Sequence, residues 1–135
     1  MNIEDRIKAL VELGNDIENI IQICLEKMSH TKKDYASYIR IIESEQIHNG
    51  WFTKENIINS IKGIREWLIE TNLRSWIKRY YTLLSNSSNQ QDIGVIMAGN
   101  IPLVSFHDIL SVIITGNRLR AKISSQDKNL PVMLF

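Results

Sequence analysis

One cysteine, Cys24, is present among the 135 residues of the chain. A single thiol cannot form an intramolecular disulfide, and it excludes a metal cluster built on several cysteines. His30 and His48 lie between predicted helices and have no partners at metal-ligand spacing. We therefore predict no metal site and a reducing, cytoplasmic setting.

Neither sign of charge is in excess, and no long apolar run occurs. Sixteen lysines and arginines are balanced by fifteen aspartates and glutamates, for a formal net charge of +1. A general nucleic-acid surface needs a sustained basic excess, so no nucleic-acid partner is predicted. The N-terminus alternates apolar with charged residues, unlike a signal peptide. No apolar run approaches the roughly 20 residues that span a bilayer, so no membrane span is predicted.

What the chain does have, in its first part, is helical periodicity. Apolar or small residues spaced alternately three and four apart predict one buried face of a first helix. They are Ile3, Ile7, Leu10, Gly14, Ile17, Ile21, Cys24 and Met28. Asn2 and Asp5 resemble an N-terminal cap. Gly14 leaves a gap in this face, which predicts a bend or a close helix crossing.

Three more helices are predicted before residue 88. Thr31 and Asp34 repeat the start signal, and Asn49-Gly50 ends the second helix because both residues tolerate a left-handed conformation. Thr53 begins a third helix. Its apolar stripe is formed by Ile57, Ile61, Ile64 and Leu68. A fourth helix is suggested by Leu73, Trp76, Ile77, Tyr80, Tyr81 and Leu84.

The pattern then changes. Residues 85–92 contain no apolar side chain and predict a linker. Ile93–Met97 is a short apolar run typical of a buried strand. Pro102 suits the first turn of a helix, which we predict to extend to Thr115. Arg118–Ile123 alternates basic and apolar residues, as a strand does. Strand, helix and strand in about 30 residues predict a parallel βαβ unit with a right-handed crossover.

These patterns predict an α/β fold in two parts. Residues 1–88 form a helical region, and residues 89–135 form the start of a parallel-sheet domain. Parallel sheets normally have both faces covered by other elements, and two parallel strands alone cannot provide this cover. We therefore expect the sequence to be truncated. The alternative is a natural short protein that completes its sheet with a second copy. Apolar residues in Leu103–Ile114 and Pro131–Phe135 are expected to favour homo-oligomers.

The segment after the linker carries the most specific signal. A strand, a glycine-containing turn and a helix form a general anion site, but the GxGxxG and P-loop patterns are absent. The string GVIMAGNIPLVSFHDILSVIITGNRLRAKISSQDKNLP contains AGNIP, FHD, TGN and AKISSQD in that order. It resembles the acyl-CoA reductases of the bacterial bioluminescence type, within the aldehyde dehydrogenase superfamily. The close similarity covers residues 93–131, and a looser one reaches back through Trp51–Asn56 and residues 72–80.

The resemblance implies an aldehyde-dehydrogenase-like N-terminal fragment, in which residues 89–135 are the start of a Rossmann-like cofactor-binding domain, and an oxidoreductase activity. The complete enzyme would reduce acyl-CoA, or another activated acyl group, to an aldehyde with NADPH through a cysteine thioester; NADH is not distinguished by the sequence. The family's nucleophile follows the nucleotide unit, whereas Cys24 precedes it on an apolar helix face. Cys24 is therefore predicted to be a core residue, and the chain alone is predicted to be inactive.

The resemblance also implies site residues, each with a structural alternative. Asn100 corresponds to the oxyanion-hole asparagine, and otherwise caps a helix that begins at Pro102. Lys122 corresponds to the lysine that contacts the adenosine ribose or its 2′-phosphate, and otherwise marks a solvated edge strand. Ser124 and Ser125 could reach the ribose or phosphate, or cap the next helix.

Other charged and aromatic residues are weaker candidates for a site. Arg118 and Arg120 share the strand face of Lys122 and could contact the cofactor. His107 and Asp108 point about 100° apart on a helix and cannot form a relay, so a structural part, such as hydrogen bonding to a loop, is predicted. Inter-helix packing is predicted for the aromatic residues, rather than a base-stacking or acyl-chain surface. They are Trp51, Trp67, Trp76, Tyr80 and Tyr81.

Functions of other classes stay open. The four amphipathic helices could form a non-catalytic module that binds a partner or self-associates. A cofactor-free regulatory remnant is a third possibility.

Overall fold

A computed structural model describes residues 1–25, 35–86 and 89–135. Helices come first and a two-stranded sheet follows. The elements are α1 (Ile3–Cys24), α2 (Ala36–His48), α3 (Lys54–Trp67), α4 (Glu70–Ile77), a 3-10 turn (Lys78–Tyr80), α5 (Tyr81–Asn86), β1 (Asp92–Ile96), α6 (Phe106–Ile114), β2 (Arg118–Lys122) and α7 (Asn129–Leu134). In the described ranges, none of the helices is long and apolar enough to cross a membrane.

The caps of α1 and α3 lie where the sequence places them. The Asn2 side chain accepts a hydrogen bond of 2.9 Å from the Asp5 N–H. The Thr53 hydroxyl accepts one of 3.2 Å from the Asn56 N–H. Each cap satisfies an amide that has no partner inside its helix. The start signal predicted at Thr31 and Asp34, and the predicted face residue Met28, lie outside the described residues.

Gly14 marks a close helix crossing, one of the two outcomes predicted for it. A Cβ placed on Gly14 would lie 2.8 Å from the Leu68 Cβ. Only a hydrogen at this position lets α1 approach the end of α3. The predicted apolar faces of both helices are buried in a common core.

The predicted fourth helix is present in two parts joined by the 3-10 turn. Its apolar residues Leu73 and Ile77 are buried, whereas Tyr80 and Tyr81 are exposed. A 3-10 turn has three residues per turn instead of 3.6, so it changes which side chains face the core.

The βαβ unit is confirmed. Strands β1 and β2 pair in parallel, in a register that runs from Asp92 opposite Arg118 to Ile96 opposite Lys122. Helix α6 connects them and packs on both strands. The predicted start of this helix at Pro102 is wrong, because residues 101–105 form turns and α6 begins at Phe106. Leu103 adopts a left-handed conformation (φ 57°), which interrupts helical geometry.

The first strand is half-buried rather than buried. Ile93 and Val95 turn towards the interior, whereas Gly94 and Ile96 are exposed, Ile96 by 82%. The difference arises because α6 packs on the strands while alternate residues of β1 stay exposed.

One continuous core joins the helical region to the βαβ unit. Residues of α1 and α3 share it with Leu103, Phe106, Leu110 and Leu130, and α7 packs against α2. The apolar side chains of α6 are therefore buried, so the surface expected from Leu103–Ile114 is not exposed as a whole. Val132 and Phe135 of the second expected segment are exposed. The division at residue 88 and the homo-oligomer stay predictions.

Candidate functional site

The turns that follow β1 and β2 meet at one edge of the sheet, because the strands are parallel. The Met97 N–H donates a hydrogen bond of 3.0 Å to the Lys122 carbonyl, which prolongs the pairing by one residue. A Cβ on Gly99 would collide with the Ser124 Oγ and lie 3.0 Å from the Gln126 Cβ. Glycine at position 99 thus permits the two turns to touch. Ligands of open α/β sheets bind at this edge.

A buried carboxylate ties these turns together. The Leu103 N–H donates a hydrogen bond of 2.7 Å to the Asp127 Oδ2. The Ala98 N–H donates one of 3.1 Å to the buried hydroxyl of Ser105, within the first turn. These two bonds determine how the chain runs on either side of Asn100.

Asp127 lies in an unusual electrostatic environment. The residue is 1% exposed, and its Oδ1 has no hydrogen-bond partner among the described residues. Burial raises the pKa of Asp127 to about 6; the Leu103 N–H opposes this shift, and the carboxylate of Glu45 adds to it. Glu45 is itself buried and accepts a hydrogen bond of 2.6 Å from the Asn129 side chain. Two buried carboxyl groups, one from α2 and one from the turn after β2, thus interact electrostatically.

An open cleft of about 500 Å³ lies between these turns and the connection from α2 to α3. It is lined by His48, Asn49, Gly50, Trp51, Asn100, Ser125 and Gln126. The Asn49 amide donates a hydrogen bond of 3.3 Å to the Gln126 carbonyl, which links the two walls. Of the predicted site residues, Asn100 and Ser125 are brought together here.

Asn100 is exposed in this cleft, and it does not cap a helix. Helix α6 begins six residues later, and Ser105 occupies its N-cap position. The Asn100 side chain makes no hydrogen bond with any residue that the structure describes. The capping alternative is therefore wrong, and the amide is available to a ligand.

Lys122 is the basic residue of β2 that has no ion pair within the described ranges. Arg118 and Arg120 both bind Asp92 of the neighbouring strand, at 2.9 and 3.6 Å. The polar composition of residues 85–92 assigns Asp92 to the predicted linker. The sequence therefore does not predict the ion pairs of Asp92 with Arg118 and Arg120. Asp92 neutralises part of the arginine charge, whereas the charge of Lys122, the last residue of β2, is not offset in this way. Lys122 is exposed and does not line the cleft.

The two serines differ in their surroundings. The Ser124 Oγ accepts a hydrogen bond of 3.2 Å from the Gln126 N–H and packs against Gly99, so it shapes the turn. Ser125 is exposed in the cleft. Neither caps the next helix, because α7 begins at Asn129 and Lys128 occupies its N-cap position.

Cys24 is buried, as predicted, and burial raises the pKa of its thiol. A nucleophilic cysteine needs a lowered pKa and access to the substrate. Cys24 therefore has the properties of a core residue.

His107 contacts aromatic rings instead of a loop. Its ring centroid lies 5.4 Å from that of Trp67 and 5.5 Å from that of Trp76. The predicted hydrogen bond to a loop is thus replaced by ring packing on the face of α6. Asp108 beside it is exposed.

The prediction of inter-helix packing for the aromatic residues is only partly correct. Trp67 stacks on Phe106 of α6, with ring centroids 6.4 Å apart. All five aromatic residues nevertheless expose more than a third of their surface, and Trp51 is the most exposed of them. Helical spacing identified a face of the chain but not whether another element covers it.

Among the residues described, no group of three or more histidine, cysteine or acidic side chains could hold a metal ion. Comparisons with family models, with curated proteins and with solved structures found no match.

Proposed function

We propose that this chain is the N-terminal part of an acyl-CoA reductase that uses NADPH to reduce an activated fatty acyl group to an aldehyde. The proposal starts from the sequence resemblance over residues 93–131. Its structural support is the cleft at the carboxyl edge of the sheet, where the unbonded Asn100 amide and the Ser125 hydroxyl lie together.

In this proposal a cysteine in a further part of the complete enzyme attacks the acyl carbonyl, and the thiol of coenzyme A leaves. NADPH, when bound, would supply the hydride that reduces the enzyme thioester. The tetrahedral intermediate collapses, releasing the aldehyde and the cysteine thiolate. Asn100 donates a hydrogen bond to the oxygen as negative charge develops on it, and one such donor contributes roughly 3–4 kcal/mol to transition-state stabilisation.

In this proposal Lys122 contacts a phosphate group of the cofactor. A compact cation suits a phosphate group, and Lys122 ends β2 at the edge where the two turns meet. Ser125 could donate to a ribose or phosphate oxygen from the cleft. Ser124 acts indirectly, by holding the turn that carries Ser125.

The uncovered sheet face also supports the proposal. Parallel sheets have both faces covered in almost all proteins, yet Ile96 and its face of the sheet are exposed. A further part of the protein, or a second subunit, would cover this face in the complete enzyme.

Binding of NADPH to the 135-residue chain tests the proposal. Followed by amide NMR, a titration is expected to perturb residues 98–100 and 122–126. Lys122→Ala should weaken binding several-fold, since it removes the cation at the edge. Arg118→Ala is the matched control, because Arg118 shares the strand face but is paired with Asp92. Equal effects of the two substitutions, or perturbations elsewhere only, would contradict the proposed site.

The purified chain is also expected to show no acyl-CoA-dependent NADPH oxidation, because the proposed nucleophile is not among its residues. Measurable aldehyde formation by this chain would contradict that division of roles.

A second candidate function, self-assembly or partner binding without catalysis, is favoured by one observation. An apolar groove of about 300 Å³ runs between the α4–α5 segment and α6, and Tyr80 and Leu83 line it while largely exposed. Sedimentation of the chain at increasing concentration, compared with Leu83→Asp, tests this function. A strictly monomeric chain would count against self-assembly.

A further inference from the structure

Trp51 is held rigidly by its backbone while its side chain is left in solvent. Its N–H donates a hydrogen bond of 3.1 Å to the Asn49 Oδ1, and its carbonyl accepts one of 2.8 Å from the Asn56 side chain. The next residue, Phe52, is fully buried in the core, and its N–H bonds to the Asn49 carbonyl. The indole is nevertheless 78% exposed. Its exposure is therefore a property of a fixed turn and not of a loose segment.

A single exposed apolar side chain needs no explanation by itself. What distinguishes Trp51 is that it lines the same cleft as Asn100, Ser125 and Gln126, whose side chains carry hydrogen-bonding groups. The combination of one aromatic face and several polar groups fits a planar ring attached to polar substituents. An aliphatic acyl chain would offer no partners to these amides and the hydroxyl, so it is a poorer match than a ring with polar substituents.

The two walls are joined at one point before any ligand binds. The Asn49 amide donates a hydrogen bond of 3.3 Å to the Gln126 carbonyl, and Asp127, next to Gln126, accepts one from the Leu103 N–H. A preformed cleft lowers the entropic cost of binding. Its volume of about 500 Å³ is within the range of small-molecule sites, about 300–1,000 Å³.

We infer that the Trp51 indole is a stacking platform for the adenine ring of a nucleotide bound in this cleft, an inference that rests on the proposed function for its choice of nucleotide. The adenine nucleotide portion is chemistry that NADPH and coenzyme A share. The aromatic face takes the base, and Ser125 and Gln126 are placed for polar substituents of the nucleotide. Lys122 at the same sheet edge suits a phosphate, and Asn100 keeps its proposed role towards the acyl oxygen. Stacking of a base on an aromatic side chain is tolerant of the base's identity.

The test follows the indole N–H signals of the three tryptophans by NMR during separate titrations with NADPH, coenzyme A, AMP and inorganic phosphate. The Trp51 signal is expected to shift with the three adenine compounds and not with phosphate. The signals of Trp67 and Trp76, which pack beside His107, should stay in place. Trp51→Ala should weaken binding about tenfold, equivalent to about 1.4 kcal/mol. Trp51→Phe should retain most of the affinity, and Trp67→Phe should retain all of it.

The outcomes separate this inference from the proposed function. If NADPH or coenzyme A perturbs the Asn100 and Lys122 amides but leaves Trp51 unmoved, the stacking role is overturned and the proposed function stands. If AMP shifts Trp51 while neither NADPH nor coenzyme A binds, the stacking role stands and the proposed function fails. If no adenine compound moves the Trp51 signal, the inference is overturned. A shift of Trp51 with protein concentration alone would assign the indole to a contact between copies and would also overturn it.

Discussion

The carboxylate of Asp127 accepts a hydrogen bond of 2.7 Å from the backbone N–H of Leu103. Leu103 has a φ of 57°, and among the described residues it is the one non-glycine residue with a positive φ. A left-handed conformation costs a non-glycine residue about 1–2 kcal/mol. A hydrogen bond to a charged group contributes about 1.5–3 kcal/mol. The bond is therefore strong enough to offset the strain, and it connects the turn carrying Asn100 to the turn carrying Ser125.

Asp127 should make stability depend on pH in a defined direction. Because burial raises its pKa to about 6, above the unfolded value of about 3.9, the folded protein binds this proton more tightly than the unfolded chain does. The contribution of the protonated Asp127 to the free energy of unfolding is fully present below about pH 4. It is lost as the pH rises through about 6. Asp127→Asn cannot ionise and keeps an oxygen for the Leu103 N–H. Its stability relative to wild type should therefore rise by roughly 3 kcal/mol between pH 4 and pH 7.5.

Urea unfolding of both proteins across this pH range measures the effect. The difference between the two free energies of unfolding is the relevant quantity, since the other titrating groups are common to both. A difference that does not change with pH would show that Asp127 titrates normally. Asp127→Ala, which also removes the acceptor for Leu103, should be less stable than Asp127→Asn at every pH.

Substitution of Gly14 should destabilise the protein. In Gly14→Ala the new methyl group would meet the Leu68 Cβ at 2.8 Å, and overpacking of this kind costs about 1–3 kcal/mol. Gly63→Ala is the control, because Gly63 lies within α3 and a Cβ there meets nothing within 4 Å. That variant should gain about 0.5–1 kcal/mol from the higher helix propensity of alanine. Thermal unfolding shifts of opposite sign would confirm the helix crossing, whereas equal shifts would contradict it.

Gly99 and Gly94 form a matched pair in the βαβ unit. Gly99→Ala places a methyl group against Ser124 and Gln126 and should separate the two turns, at a cost of about 1–3 kcal/mol. Gly94→Ala, where a Cβ meets nothing within 4 Å, should be neutral or slightly stabilising. Chemical denaturation gives the stabilities, and amide shifts at Asn100 and Ser125 report the site. Unchanged site shifts in Gly99→Ala would mean that the turns do not depend on this contact.

Trp51 and Phe52 are adjacent, yet they should differ sharply in their effect on stability. Phe52→Ala removes a ring that is fully buried in the core, which typically costs about 3–5 kcal/mol. Trp51→Ala removes a mostly exposed ring and should change stability by less than about 0.5 kcal/mol. Unfolding free energies of the two variants check this, and a large loss in Trp51→Ala would show that the indole is part of the folded core.

Cys24 should be unreactive in the folded protein. Burial raises the pKa of its thiol, and the higher pKa keeps the thiolate population low. Burial also hinders the access of a reagent to the sulfur. Modification with a thiol reagent at pH 8 should therefore be much slower in native conditions than in denaturant. Rapid native labelling, at the rate of a small free thiol, would contradict the buried position and reopen its candidacy as a nucleophile.

The sequence by itself determined the features that depend on residues close together in the chain. The caps at Asn2 and Thr53, the apolar faces of α1 and α3, and the βαβ succession follow from side-chain type and period. Such patterns act within one or two helical turns or along one strand, so no distant contact is needed to predict them.

Only the tertiary structure decided the features that depend on distant residues. Helix α6 begins at Phe106 and not at Pro102. In the turn before it, the Leu103 N–H donates a hydrogen bond to Asp127, which is 24 residues away in the sequence. Asn100 faces a cleft whose other wall is Trp51. Local propensity is worth only tenths of a kcal/mol per residue, whereas a buried charged hydrogen bond or a backbone contact at a glycine is worth about 1–3 kcal/mol. Where the two disagree, the long-range contact determines the structure.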